Sequence, residues 1–439
     1  MDSAEVSRPV RRRPAHRVPA EFRFRADGFR YAPVGVKRDP DPYLCDVAVV
    51  GAGPAGSSAA LTLARAGLRV ALVDRAVFPR PKTCGGGLLF RTVAWLDLDL
   101  GGVVETQCFE AKLRHHRPDL VYSTRRDAPI VSMVMRDRFD AFLLDAATRA
   151  GAKLFQGVTV KAVRVEVDGV TVQTTEGDFA ASYVIAADGV TSIVARTAGF
   201  PDLRNVVPAV EAEISVQPER LQRFAAAARF DFGLVPWGYG WVFPKRDHLS
   251  VGVLTTRHGN CNLNEEYRRY LSAVGLEHPL KETKRGYMIP LRPRDDLFAF
   301  PRCLLVGDAA GLVDPITAEG ISAAVRSGQL AASAIVEAQG VPDAVMAGYR
   351  TSLEREFLRD LRAARWLARA LYGFPTLRGW MLRRHGQRLS EFVTDVVMGT
   401  AHYRDAVLSP GNYLKLLGGR TAPTEPVARP QRPAGADNL

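Results

Sequence analysis

The 439-residue chain contains no apolar run of about 18 residues, so no membrane-spanning helix is expected. Its N-terminus has arginines but no apolar h-region, which argues against a secretory signal peptide. The five cysteines (45, 84, 108, 261, 303) are odd in number and show no C-x-x-C spacing, so neither a disulfide framework nor a zinc site is supported. Histidines 115, 116, 248, 258, 278, 385 and 402 form no ligand pattern, and His16 falls in an Arg/Pro-rich extension; no metal is expected. Internal repeats are absent. These features imply a reducing, cytoplasmic setting for a soluble or peripheral protein, at most associated with the inner face of a membrane.

Apolar residues make up 47% of the chain, enough for a large core divided into two or three substructures. The net charge of +12 calls for an anionic partner. Nucleic acid is not expected, because no recognition motif accompanies the charge. Ten arginines between 350 and 388 are interleaved with Phe357, Leu358, Leu361, Trp366, Leu367, Leu371, Tyr372, Phe374, Trp380 and Met381. That pattern fits either the solvated faces of a C-terminal helical bundle or helices lying on an anionic membrane, where each Arg contributes about 1 kcal/mol.

The strand-like Asp46–Val50 runs into Gly51-Ala-Gly53-Pro54-Ala55-Gly56, then into a helical stretch from Ser57 and a second strand ending at Asp74. This is a G-x-G-x-x-G turn between strand and helix. Its glycines permit a tight turn, close approach of backbone to a pyrophosphate, and packing of the helix on its strand. The pyrophosphate belongs at the helix N-terminus, and Asp74, 18 residues past the third glycine, stands where a carboxylate meets the ribose. Further along, a helix is expected from Phe139 to Ala150, two strands within 158–172, buried strands ending at Asp188-Gly189 and Gly307-Asp308, and a helix over about 320–339. Alternating, aromatic-rich runs over 204–291 indicate an inserted antiparallel β domain.

Gly51 to Gly56, Ala187-Asp188-Gly189 with Val-Thr-Ser192, and Gly307-Asp308-Ala-Ala310 resemble the three fingerprints of the para-hydroxybenzoate-hydroxylase-like FAD superfamily. Two more segments narrow the resemblance. Pro79-Arg-Pro-Lys-Thr-Cys84-Gly85-Gly86 fits P-x4-C-G-G, and Tyr239-Gly-Trp241-Val-Phe243-Pro-Lys245 with Gly252 fits Y-x-W-x-F-P-K-x6-G. Both are similar to motifs of the geranylgeranyl reductase family, flavoenzymes that saturate carbon–carbon double bonds of isoprenoid chains. The resemblance implies an α/β (α+β) protein: a Rossmann-like FAD-binding domain (44–100, 136–203, 292–345) with an inserted antiparallel β-sheet substrate domain (101–135, 204–291). C-terminal helices (346–418) follow, with a basic extension (1–43) and a tail expected to be disordered (419–439).

As cofactor-binding residues it implies Gly51, Gly53, Pro54, Ala55, Gly56, Asp74, Arg75, Cys84, Gly85, Gly86, Arg136, Val160, Asp188, Gly307, Asp308, Gly320 and Ile321. Cys84, Tyr239 and Trp241 are the catalytic candidates. Tyr239, Trp241 and Phe243 alternate, so on a strand they present one aromatic wall, suited to a polyprenyl chain, or they are simply core aromatics. Glycines at 85 to 87 would let backbone approach a flat ring. Ala318 stands where related proteins usually carry glycine, which makes its turn less free.

The resemblance implies hydride transfer from reduced FAD to one alkene carbon and a proton to the other, from Cys84, Tyr239 or water. Only one complete dinucleotide fingerprint is present, so the reductant is NAD(P)H without its own Rossmann domain, or reduced ferredoxin, whose acidity would suit the basic surface. Geranylgeranyl diphosphate, a prenylated quinone, a pigment precursor or an ether lipid all remain open as substrates. The alternatives are an FAD monooxygenase or halogenase on the same scaffold, or a non-catalytic flavin-binding or membrane-scaffold protein.

Overall fold

Valine, alanine and leucine fill Tyr43–Val50, Val70–Asp74 and Asp178–Ala186, and nearly every one of these residues is buried. Strands apolar on both faces belong in a parallel sheet covered by helices. In the computed structural model, which describes residues 41–408 apart from 118, 258, 260, 295 and 296, they form that sheet. Its order is Ala299–Phe300, Cys303–Leu305, Asp178–Ala186, Tyr43–Val50, Val70–Asp74, Lys153–Gln156. The four pairings from Cys303–Leu305 to Lys153–Gln156 are parallel, and Val170–Thr174 with Val160–Val165 extends Asp178–Ala186 as an antiparallel flap. Helices Pro54–Arg65, Arg136–Arg149 and Ile321–Glu337 cover the sheet. The glycine turn, Ala187-Asp188 and Gly307-Asp308 all follow the carboxyl ends of adjacent parallel strands, the edge at which open α/β sheets bind ligands.

A second sheet of seven strands has the order Lys281–Pro290, Val206–Ser215, Leu249–Thr255, Gly238–Pro244, Ala227–Phe232, Glu110–His116, Asp119–Arg125. It departs from the expected purely antiparallel insert in one pairing: Ala227–Phe232 runs parallel to Glu110–His116. Two helices, Pro218–Phe224 and Leu263–Val274, also lie within the span read as strands. The second is strongly amphipathic, and its Tyr267, Tyr270 and Leu271 pack on Ala212, Ile214, Val251 and Val253. Segment 101–135 is shared between sheets, since Val104–Cys108 and Val131–Val134 pair with each other and Gly87–Leu89 completes a three-stranded sheet. Two helix starts precede the expected Ser57 and Phe139 by about a turn, while the helix expected from about 320 starts at Ile321. Pro54 occupies the first turn of its helix, where a missing N–H costs nothing, and Arg136 opens the next.

The C-terminal segment divides by face. Phe357, Leu358 and Leu361 join the core of the parallel sheet, and Tyr372 joins an aromatic cluster with Tyr239 and Trp241. Trp366, Phe374, Leu377 and Trp380 are exposed. Arg359 and Arg362 pair with Glu354, while Arg355 and Arg326 pair with Glu356. No helix among the described residues is long and apolar enough to cross a membrane. The tail (419–439), residues 1–40 of the N-terminal extension, the end of the helical region (409–418), His16 and His258 lie outside the described residues.

A buried charge joins the parallel strand to its neighbours. Asp231, fully buried, accepts two bonds from Arg229 (2.7 and 2.8 Å), one from Tyr270 (2.8 Å), and pairs with His116 (2.7 Å). Burial alone would raise this carboxyl, but His116 and Arg229 reverse the effect and hold it below its usual range. Removing one partner of such a set leaves an uncompensated buried charge. Asp231→Ala is therefore expected to lower unfolding stability by about 3–5 kcal/mol, read as a fall in the urea midpoint; an unchanged midpoint would show that Arg229 finds water or another partner.

Candidate active site

The glycine turn is built from close contacts. Gly51 has φ +98°, and a Cβ there would stand 2.4 Å from the Ala187 carbonyl oxygen. A Cβ on Gly56 would stand 1.8 Å from the Gly51 carbonyl. Gly53 differs: a Cβ there would meet only the Arg80 guanidinium, at 3.7 Å, so its backbone faces open space at the start of helix Pro54–Arg65. The Asp74 carboxylate accepts bonds from Ala52 N (2.7 Å) and Ala76 N (2.8 Å), which pins the turn beside the end of its own strand.

Asp188 accepts from Ile193 N (2.7 Å) and Val194 N (3.1 Å), so it also caps the short helix Ile193–Thr197; burial raises its pKa. Asp308 accepts from the Tyr287 hydroxyl (3.1 Å), and the Lys82 ammonium lies 3.0 Å above the Tyr287 ring. Burial raises the Asp308 carboxyl, opposed chiefly by Lys82. Burial, then repulsion from Arg136, draws Lys82 down to about 8. Arg136 is itself held by a bidentate pair with Asp140 (2.8 and 2.9 Å).

These groups line one cavity of about 1330 Å³. Of the residues singled out from sequence, Gly51, Gly53, Pro54, Ala55, Asp74, Arg75, Cys84, Gly85, Gly86, Arg136, Val160, Asp188, Asp308, Gly320 and Ile321 meet in its wall. So do Tyr239, Trp241 and Phe243. Gly56 and Gly307 are not in the wall. Gly56 packs under the turn, and Gly307, at φ +54°, fits between Ala55 and Ala324.

The far wall is one face of the seven-stranded sheet. Cross-strand pairing sets Trp241, Gly252, Glu211 and Arg285 in a single row, flanked by the row of Tyr239, Leu254, Ala209 and Tyr287. The motif's terminal glycine is explained by this register: the Trp241 indole crosses Gly252, where a Cβ would come within 2.1 Å of the ring. Tyr239, Trp241 and Phe243 stand 6.1 and 6.3 Å apart along the wall, and Phe230 and Phe232 widen it. The Tyr239 hydroxyl donates to the Thr317 carbonyl and burial pushes its pKa up, so its proton is committed to backbone.

Glycines at 85 and 86 also answer to the protein's own packing. A Cβ on Gly85 would lie 2.9 Å from the Phe243 ring, and one on Gly86 would lie 2.1 Å from the Val134 carbonyl. The buried Lys245 ammonium then ties this loop down, donating to the Gly85 carbonyl (2.7 Å) and the Val134 carbonyl (2.9 Å). Burial lowers its pKa. Cys84 Sγ accepts from Gly86 N (3.4 Å). Ala318 adopts the left-handed conformation (φ +54°) despite its methyl group, with N–H bonded to Asp314 O (2.8 Å).

Sequence reading assigned no role to Lys82, Tyr287, Lys245 or Glu211. Lys82 and Lys245 lie inside the two quoted motifs, so proximity to them was the available signal; Tyr287 and Glu211 reach the cavity only through strand register. Helix Pro375–Met398 also lines the cavity with Leu377, Trp380, Met381 and Leu389 and breaks at His385, a buried ring with neither nitrogen partnered among the described residues.

The residues present fit an adenine dinucleotide carrying a flat ring. Gly53 leaves an open cradle at a helix N-terminus, and carboxylates ring the same edge. The Trp241 Nε1–H is buried with no partner among the described residues, and the volume exceeds the roughly 300–1,000 Å³ of ordinary ligand pockets. A family model described as an FAD binding domain matches residues 44–340. The chain is 33% identical over 330 residues to an uncharacterized protein of Methanosarcina barkeri (75% of this chain, 84% of the other). It is 34% identical over 312 residues to the geranylgeranyl diphosphate reductase of Rhodobacter capsulatus (66% of this chain, 74% of the other). Among solved structures, a geranylgeranyl bacteriochlorophyll reductase-like protein from Thermoplasma acidophilum aligns with TM-score 0.68 at 24% identity, covering 86% of this chain and 96% of that one.

Left-handed backbone costs a non-glycine residue about 1–2 kcal/mol, while glycine costs roughly 0.4–1 kcal/mol through the freer unfolded chain. Ala318→Gly should therefore leave the urea midpoint unchanged or slightly raised. A clear fall would mean that the Ala318 methyl makes contacts worth more than the strain.

Proposed function

This chain belongs to the geranylgeranyl reductase family of FAD-dependent oxidoreductases, and from that premise we propose that it saturates carbon–carbon double bonds of a geranylgeranyl or longer polyprenyl chain. The observation that carries the reading is the single cavity in which the glycine-turn edge of one sheet meets the Tyr239, Trp241 and Phe243 face of another. When bound and reduced, FAD supplies hydride there. In this reading Gly53 and the first turn of helix Pro54–Arg65 hold the pyrophosphate, Asp74 the adenosine ribose, and Asp308 with Arg136 and Gly320 the ribityl and ring side. The aromatic wall aligns the prenyl chain and excludes water, so that the reacting alkene is oriented before reaction. The domain division 44–100, 136–203 and 292–345 against 101–135 and 204–291 forms part of the same proposal.

The reductant is NAD(P)H or reduced ferredoxin; the basic surface favours association with an acidic donor. We further assign membrane contact to the helical junction at Phe374. Leu377 and Trp380 there are both exposed and part of the cavity wall, with Trp366 and Phe374 exposed nearby. Arg369 lies over the Trp366 ring (5.1 Å), placing a cation beside an apolar tip as interfacial helices do. A lipid-borne chain could then enter without crossing water.

Dithionite-reduced enzyme should be reoxidised anaerobically by a geranylgeranyl compound, with a gain of two hydrogens per reduced bond by mass spectrometry. Stoichiometric oxygenated product under air would sink the assignment. Asp308→Ala should weaken FAD retention, whereas Trp241→Ala should retain FAD and lose turnover; an unchanged rate in the latter removes the aromatic wall from the substrate path. For the membrane, co-sedimentation with phosphatidylglycerol vesicles should weaken roughly tenfold or more in Trp366→Ala/Trp380→Ala, given about 1.5–3 kcal/mol per large buried side chain. Equal binding by the double variant would place the contact elsewhere.

A further inference from the structure

Saturating an isolated alkene needs an acid as well as a hydride, and the acid must keep its proton in a dry pocket. Tyr239 is a poor source because its hydroxyl proton is held by the Thr317 carbonyl. The same wall carries another group. Glu211, 5% exposed, lines the cavity and lies in the cross-strand row of Trp241, separated from it only by Gly252. Because Gly252 has no side chain, the Trp241 indole crosses that position in the row that leads to Glu211. A carboxyl in an aromatic wall is an unusual use of a buried position, and it is not neutralised by a bidentate arginine. It accepts from the neutral Ser250 hydroxyl (3.1 Å) and shares a hydrogen bond with the Glu213 carboxyl.

We propose that Glu211 is the acid that delivers the proton to the alkene, a role that rests on the prenyl-reduction reading above. The π pair of the double bond takes the Glu211 proton to form one C–H bond. The second C–H bond forms with hydride taken from reduced FAD, which the nicotinamide or ferredoxin donor has supplied with electrons. The alkene gains two hydrogens, bound reduced FAD would supply the electron pair of the reduction, and the carboxylate is reprotonated from water.

The surroundings favour the protonated form of this carboxyl. Burial raises its pKa first, and the Glu213 carboxyl two residues along the same strand adds to the rise, while Ser250 and the Lys245 ammonium oppose it. Glu213 is in turn engaged by His248 (3.0 Å), which leaves Glu211 as the member of the pair facing the cavity. Arg285 is its neighbour on the adjoining strand but is exposed, and Tyr267 of helix Leu263–Val274 packs with the cluster on Ala212 and Ile214.

Glu211→Gln tests the role. Infrared spectra of the FAD-bound protein at neutral pH should show a carboxylic-acid C=O band that the Gln variant lacks. Anaerobic single-turnover reoxidation by a geranylgeranyl substrate should slow by about 10²–10⁴ in Glu211→Gln, with FAD retained. The wild-type rate should hold at low pH and fall as pH rises through the raised pKa, since only the protonated carboxyl can donate. That step should vanish in Glu211→Gln and persist, with reduced rate, in Glu211→Asp. A merely structural role would slow all pH values alike. Wild-type rate or a retained pH step in Glu211→Gln overturns the proposal while sparing prenyl reduction. Failure of the wild type to reduce any lipid, quinone or diphosphate prenyl substrate overturns that reading and this role together.

Discussion

The contact on which the site depends is the meeting of Trp241, Phe243 and Lys245 with the Cys84-Gly85-Gly86 loop. The seven-stranded sheet brings the aromatics and the ammonium, and the loop that enters Gly87–Leu89 brings two glycines that leave room for them. The Gly85 carbonyl accepts from Lys245 at 2.7 Å, and the Phe243 ring fills the space where a Gly85 Cβ would be. A buried ammonium without these carbonyls would be costly, and the carbonyls without it would be orphaned. The seven-stranded sheet and the loop that enters Gly87–Leu89 therefore hold each other at a set distance on one side of the cavity.

Within that space polarity is graded. At the strand ends Asp188, Asp308 and Lys82 are all displaced from their ordinary pKa values, with burial as the leading cause in each case. Toward helix Pro375–Met398 the wall turns to Leu, Met, Phe and Val. A ligand with a charged, hydrogen-bonding part and a long apolar part matches both regions. Glu211 is a titratable group in the row of the aromatic Trp241.

The C-terminal helices show how one composition serves two purposes. Arginines and aromatics alternate through 350–388, yet Phe357, Leu358 and Leu361 complete the core of the parallel sheet, while Trp366, Phe374, Leu377 and Trp380 face outward. The helical-bundle reading describes the first set, and the membrane contact proposed above rests on the second. Helical periodicity gives the spacing of a face but not what lies opposite, and only packing assigned the residues.

Local chemistry was legible from sequence wherever neighbours along the chain suffice. The βαβ unit follows from a buried strand, three glycines and Asp74, because the turn and helix start are made of consecutive residues. The aromatic wall follows from the period of a strand. Tertiary structure decided what depends on register and on contacts between distant segments: the pairing of Gly252 with both Trp241 and Glu211, the bond from Tyr287 to Asp308, and the clasp of Lys245 on Gly85. It also showed that the glycines at 85 and 86 are needed for packing against Phe243 and Val134. Those partners lie on strands tens of residues or more away, and the turn chemistry of a glycine says that close approach is needed without saying what approaches.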